Sequence, residues 1–319
     1  MPSTTVGRVP LSADLVARLA RDHDLGVVTG VVPLGGSQNA VVLVRTDRGE
    51  HVVRVGAVHD LRRERYFARV VHERARTLAS PWPFVVDETL GAAVMPRLPG
   101  AALRPGRAGR GDRVGAAFGR AVAELHDIRF SAAGEWDAAV DDLRPDDRTA
   151  AEAFLARVRQ HALAASLAPD DRAFVDAAVE PAAAAIGDIV PTYVHGDLGL
   201  GNLLADRAPD GLRFTGVLDL GGGRAGDPDE DIAVAIWWPL YANDDALATS
   251  FLRAYRSRQA ARAHEALRMR GYLALSLLRT WETGRRDGRD WFGGATLFET
   301  WASPLLERGA RVVDEVARG

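Results

Sequence analysis

Two hydrophobic periods divide the chain. After Ser12, a suitable N-cap, Leu15, Val16 and Leu19 recur at helical spacing. From residue 27 the pattern shortens. Residues 27–34, 40–45 and 51–55 are rich in β-branched side chains and are separated by the turn clusters 35–39 and 47–49. Such alternation between turn-formers predicts an antiparallel meander of three strands, the first turn being Gly-rich. A helix is expected over 61–78, and two more strands around 84–86 and 92–95. Residues 1–95 thus read as a β-rich lobe carrying one helix among its strands. Met95, Pro96, Arg97, Leu98, Pro99 and Gly100 then punctuate the chain. Helical periodicity dominates afterwards, at 113–127, 148–162, 170–185 and beyond Asp231, interrupted by one β-like island at 192–219. The expected organisation is an N-terminal lobe (1–95), a hinge (96–100) and a C-terminal lobe (101–319).

Composition narrows the function. Of the 319 residues 47% are apolar and 26% charged, and the formal net charge is −3, which fits a globular enzyme and not a nucleic-acid binder with a global basic field. The arginines at 104, 107, 110 and 113 lack interleaved aromatics and read as a solvated loop. There is no cysteine, so disulfides, thiolate metal ligands and thiol nucleophiles are excluded. All 40 basic residues are arginine, so any role usual for lysine falls to arginine here. Residues 1–10 lack an apolar core and the longest apolar run, 232–241, is too short for a bilayer. A cytoplasmic protein, monomeric or homodimeric, with no membrane or nucleic-acid partner is expected.

The island carries the chemistry. His195, Gly196 and Asp197 lead to Asn202, and Asp219 ends the following apolar run. Phosphoryl transfer needs positioning and charge neutralisation more than covalent help. An aspartate beside an acceptor hydroxyl orients it and takes its proton; an asparagine and a second aspartate offer the oxygen donors that hard Mg²⁺ prefers. Two strands ending together would gather Asp197, Asn202 and Asp219 around one point. Gly35, Gly36, Ser37 and Asn39 lie between two strands, where backbone N–H groups can cradle phosphates. Arg54 stands on a neighbouring strand, and Glu64, favoured over Glu73, stands on the next helix as its partner. Met95 and Arg97 fall where an adenine edge would meet the connection between lobes.

This ordered set resembles the aminoglycoside phosphotransferase family of the protein-kinase-like superfamily, which includes macrolide phosphotransferases and choline kinases. The similarity runs through residues 34–39, 52–55 and 95–100, Leu125 and His126, residues 195–202, Asp219 to Gly221, and Gly226 to Pro228 with Asp231. It implies an α+β, bilobal protein-kinase-like fold with ATP or GTP in the cleft, Asp197 as the base, and Asn202 and Asp219 as Mg²⁺ ligands. Arg54 takes the place of the family's lysine. His195 and Asp231 would brace the catalytic loop. Gly226-Asp227-Pro228 follows Asp219 so soon that a long activation segment has no room, which argues against a protein kinase. The acceptor implied is a hydroxylated small molecule of the antibiotic type, with cationic compounds among the candidates. A metabolic kinase of the same fold, or a nucleotide-binding module without catalysis, are the alternatives.

Three features compete with this reading. Residues 221–226 match a dinucleotide-binding glycine pattern, but no strand follows to complete a βαβ unit. Asp141, Asp142, Asp146, Asp147, Glu282, Asp287 and Asp290 would suit a polycationic acceptor or would be solvated helix ends. Trp136, Trp237, Trp238 and Trp281 read as core by default.

Overall fold

The computed structural model of the protein describes residues 12–34, 40–103, 111–208 and 211–319. Helix α1 (Ala13–Asp22) begins where Ser12 Oγ accepts the Leu15 N–H at 3.1 Å. Strands β1 (Val28–Pro33), β2 (Ala40–Thr46) and β3 (Gly49–Val55) follow, then α2 (Val58–Arg74), β4 (Val85–Asp87) and β5 (Ala92–Pro96). The strands form one antiparallel sheet in the order β1-β2-β3-β5-β4. The β-rich half therefore carries α1 in addition to the helix set between its strands.

Side chains on a strand alternate between faces, and the register uses both. Val42, Val53 and Val94 pair across β2, β3 and β5, and with Val44 and Ala92 they bury α1 residues Val16 and Leu19. The opposite face aligns Val41 with Arg54, and Val52 with both Leu43 and Met95. That face meets α2 and the cleft, so a one-residue slip would remove Arg54 from it.

Helix α2 stops at Arg74, short of the expected 78. The reason lies on the next helix, α3 (Gly111–Leu125): the Glu124 carboxylate accepts the N–H groups of Arg76 (2.9 Å), Thr77 (2.5 Å) and Leu78 (3.1 Å). Burial opposes ionisation of Glu124, yet these bonds and the Thr77 hydroxyl hold its carboxyl below the ordinary range. A side chain from the helical half thus fixes the chain as it leaves α2.

The second half adds β6 (Ala101–Ala102), a hairpin of β7 (Gly134–Asp137) and β8 (Asp142–Pro145), and helices α4 (Ala150–Ala164) and α5 (Pro169–Ala185). Strands β9 (Thr192–Val194), β10 (Leu203–Ala208), β11 (Gly211–Val217) and β12 (Arg224–Gly226) complete the sheets, ordered β11-β10-β6 and β8-β7-β12-β9. Helices α6 (Asp229–Tyr241), α7 (Asp245–Arg256), α8 (Glu265–Asp287) and α9 (Phe298–Arg318) finish the chain. The β7–β8 hairpin was not expected. Its strands are short and mostly polar, so they carry no hydrophobic period; pairing with β12 and burial of Trp136 define it.

One hydrophobic core runs from α2 through the helical half. Close helix contact is set by glycine: a Cβ on Gly119 of α3 would lie 2.2 Å from the Phe251 carbonyl oxygen of α7. No helix among the described residues is long and apolar enough to cross a membrane.

Candidate active site

The loop from β9 to β10 is held from beneath. Gly196 adopts φ +82°, and a Cβ there would lie 3.0 Å from both Arg224 and the Gly222 carbonyl oxygen, so glycine is required. Asp231, fully buried in the first turn of α6, accepts the N–H groups of His195 at 2.6 Å and Gly196 at 2.8 Å. Its other contact is His126 Nε2 at 3.3 Å, whose Nδ1 lies 2.8 Å from the Tyr255 hydroxyl. Burial alone would raise the Asp231 carboxyl, but the hydrogen bond and charge of His126, with the His195 amide, hold it below its ordinary value.

His195 is held in one tautomer. Its Nδ1 accepts the Asp197 N–H at 3.3 Å, so Nε2 carries the proton and donates to the Leu218 carbonyl at 2.8 Å. With both nitrogens engaged, His195 ties the loop to Leu218, between the end of β11 and Asp219. Leu218 N–H donates to the Asn202 carbonyl at 2.8 Å, closing the same junction. Asp197, Asn202 and Asp219 are thereby gathered in one cleft, as the two strand ends required.

Asn202 Nδ2 donates to the Asp197 carbonyl at 2.7 Å and to Asp197 Oδ2 at 3.3 Å. Its hydrogens are spent on Asp197, which leaves Oδ1 as the atom available to a cation. Asp219 sits at φ 57°, ψ 54°, in the left-handed region, with its side chain half exposed. Arg54 Nη1 donates to Glu64 Oε2 at 2.7 Å and to Asp219 Oδ1 at 3.1 Å. Glu64 is buried, and that burial, offset in part by Arg54 and reinforced by the Asp219 charge, pushes its carboxyl up to about 7. The choice of Glu64 over Glu73 agrees with this pairing.

These residues line a cavity of about 640 Å³ between the halves, together with Leu34, Val41, Val52, Met95, Arg97 and Leu204. The guanidinium of Arg97 turns to Glu50 Oε2 at 2.5 Å. Gly35, Gly36, Ser37 and Asn39 lie outside the described residues. Asp197 also lines a second cavity, of about 460 Å³, on the helical side, with Trp237, Trp238, Arg279, Arg289 and Trp291. Asp197 therefore stands where two cavities meet.

Mg²⁺ fits what is present. Among the described residues there is no cluster of three or more His, Asp or Glu side chains that would cage a metal, and Mg²⁺ at nucleotide sites needs only one or two protein oxygens beside the phosphates. Asp219 and the free Oδ1 of Asn202 supply that number.

Sequence reading missed Arg279, whose Nη1 donates to the Gly196 carbonyl at 2.9 Å. Its partner Glu230 is buried, yet Arg157, Arg224 and Arg279 bring its carboxyl down to about 2 against the cost of burial. Nothing local in the sequence of α8 signals that reach. The glycines at 221–226 serve packing: a Cβ on Gly223 would lie 2.6 Å from the Phe67 ring, and one on Gly222 would lie 2.8 Å from the His195 carbonyl oxygen. Asp141 is taken by Arg65 and Trp136, Asp142 by Tyr66, Asp146 by Arg148 and Glu282 by His161.

A β-sheet lobe over a helical lobe, with Asp197, Asn202 and Asp219 on the cleft and an arginine–glutamate pair above them, defines a kinase-like phosphotransferase. The chain belongs to the phosphotransferase enzyme family, whose model matches residues 30–269. Its fold is similar to that of macrolide 2′-phosphotransferase MphH from Brachybacterium faecium, with 19% identity and a TM-score of 0.61 over 92% of this chain and 98% of that one. It is also similar to a thermostable mutant of aminoglycoside phosphotransferase APH(4)-Ia in ternary complex with AMP-PNP and hygromycin B. There the identity is 18% and the TM-score 0.68 over 94% of this chain and 99% of that one. No curated protein matches the chain.

Proposed function

We propose that the protein transfers the γ-phosphate of ATP or GTP to a hydroxyl of a small-molecule acceptor of the antibiotic type. The observation that carries this is the position of Asp197 at the junction of the two cavities, one suited to nucleotide and one to acceptor. One structural neighbour holds molecules of these two kinds: AMP-PNP and hygromycin B occur together in the APH(4)-Ia complex.

In this reading residues 1–95 bind nucleotide, 96–100 form the hinge and 101–319 carry catalysis and the acceptor. The acceptor hydroxyl approaches from the helical side and gives its proton to the Asp197 carboxylate. Its oxygen forms a bond to Pγ as the bond from Pγ to the bridging oxygen breaks, and the nucleoside diphosphate leaves. Asn202 and Asp219 would hold Mg²⁺, which would supply charge neutralisation at the phosphates. Arg54, steadied by Glu64, takes the lysine's place on the phosphates; its planar fork contacts phosphate and carboxylate at once.

Labelled ATP and GTP offered with Mg²⁺ and a panel of aminoglycosides, macrolides, sugars and amino alcohols test this directly. Label appearing in an acceptor supports the reading, and a protein that binds nucleotide tightly but labels none of them counts against it.

A further inference from the structure

The cavity on the helical side of Asp197 has aromatic and charged walls. Trp237 and Trp238 stack with centroids 4.1 Å apart, and Trp238 with Trp291 lines the space, giving flat apolar surface. Its ionised groups other than Asp197 are Arg279, Arg289 and Asp287. Asp287 is already engaged, by Arg286 at 3.1 Å and Arg289 at 3.6 Å. Glu282 lies one helical turn away but is bound to His161 at 2.6 Å. Arg289 lies over the Trp291 ring at 4.9 Å and keeps 38% of its side chain exposed. Ser276 Oγ, in the same wall, is buried and has no hydrogen-bond partner among the described residues. Besides Asp197, a polycation entering here would meet Arg279, shared with Glu230 and the Gly196 carbonyl, the half-exposed Arg289, and a carboxylate that two arginines already neutralise.

We infer that the acceptor is a ring-bearing alcohol of zero or negative net charge, its ring on Trp238 and Trp291 and its polar or acidic edge on Arg289, Arg279 and Ser276. This rests on the kinase reading above, since that reading makes the cavity the acceptor site. It narrows the substrate class away from polycationic aminoglycosides. Arginine forks suit a carboxylate, and a buried hydroxyl without a partner gains from meeting a ligand oxygen.

The test is calorimetric binding to the full protein with Mg²⁺ and AMP-PNP, using matched aryl sugars: 4-nitrophenyl β-glucuronide, the β-glucoside and the 2-amino-2-deoxy-β-glucoside, with kanamycin as the polycation. The glucuronide is expected to bind about fivefold or more tighter than the glucoside, with the amino sugar and kanamycin weakest. Arg289→Gln should erase the glucuronide's advantage and leave AMP-PNP affinity unchanged. Tightest binding by kanamycin or the amino sugar, equal affinities throughout, or an advantage that survives Arg289→Gln would each overturn the inference. Transfer of label from ATP to the same compounds reads the kinase activity separately. Charge-selective binding without transfer would retain the charge preference and fail the kinase reading, whereas transfer chiefly to the polycation would do the reverse.

Discussion

Arg54 Nη1 lies 2.7 Å from Glu64 and 3.1 Å from Asp219. A single guanidinium nitrogen thus joins α2 to the segment just after β11 that carries Asp219. In a chain without lysine, Arg54 reaches both carboxylates. The arrangement links the position of α2 to the readiness of Asp219.

Removing that link should weaken catalysis more than folding. Arg54→Ala is expected to lower kcat/KM for the nucleotide roughly ten- to hundredfold, the value of one or two charge-assisted hydrogen bonds. Arg54→Lys should keep activity within about tenfold, since lysine retains the charge but loses the fork. Steady-state kinetics against ATP and GTP check both.

Glu64 sets a pH dependence whose sign is fixed. Its folded value of about 7 lies above the ordinary 4.5, so the folded protein holds a proton that the unfolded chain releases. The stabilising contribution is complete below about 4.5 and is lost as pH rises through about 7. Glu64→Gln should remove that slope, worth on the order of 3 kcal/mol. Melting temperatures of nucleotide-free wild type and Glu64→Gln, compared across this window, should diverge in slope and not only in height.

Asp231 anchors the loop between β9 and β10. Asp231→Ala leaves two loop N–H groups and His126 without their acceptor, and should cost roughly 2–5 kcal/mol of stability. Asp231 carries a lowered carboxyl, so its contribution is present above the ordinary value of 3.8 and is lost as pH falls below it. Urea denaturation at neutral and acidic pH should show the variant's deficit shrinking in acid.

The contact between α3 and α7 depends on Gly119. An added Cβ would stand 2.2 Å from the Phe251 carbonyl oxygen, so Gly119→Ala should destabilise by about 1–3 kcal/mol despite alanine's better helix propensity. Thermal unfolding measures this, and nucleotide affinity should follow the folded fraction alone.

How far the sequence carries depends on how local the determinants are. The meander of β1 to β3 follows from β-branched runs between turn clusters, and Arg54 and Glu64 could be paired because a strand and the next helix leave few choices. Asp197, Asn202 and Asp219 were brought together by the logic of two strands ending at one place. The end of α2 was illegible because Glu124, far along the chain, captures the N–H groups of residues 76–78. The β7–β8 hairpin was illegible because its strands are mostly polar and are defined by pairing with β12. Trp237 and Trp238 read as core by default, and Trp237 is buried, yet both line the second cavity beside Asp197. Only the packing of α6 shows that this stacked pair borders a cavity.

The central claim is that Asp197 takes the proton of the acceptor hydroxyl. The most direct measurement is kcat together with nucleotide Kd for Asp197→Asn, which keeps the shape of the side chain and removes its basicity. Turnover is expected to fall by about 10²-fold or more with Kd changed only a few-fold, since general-base catalysis supplies roughly that factor. Turnover within a few-fold of wild type, at unchanged nucleotide affinity, would contradict it.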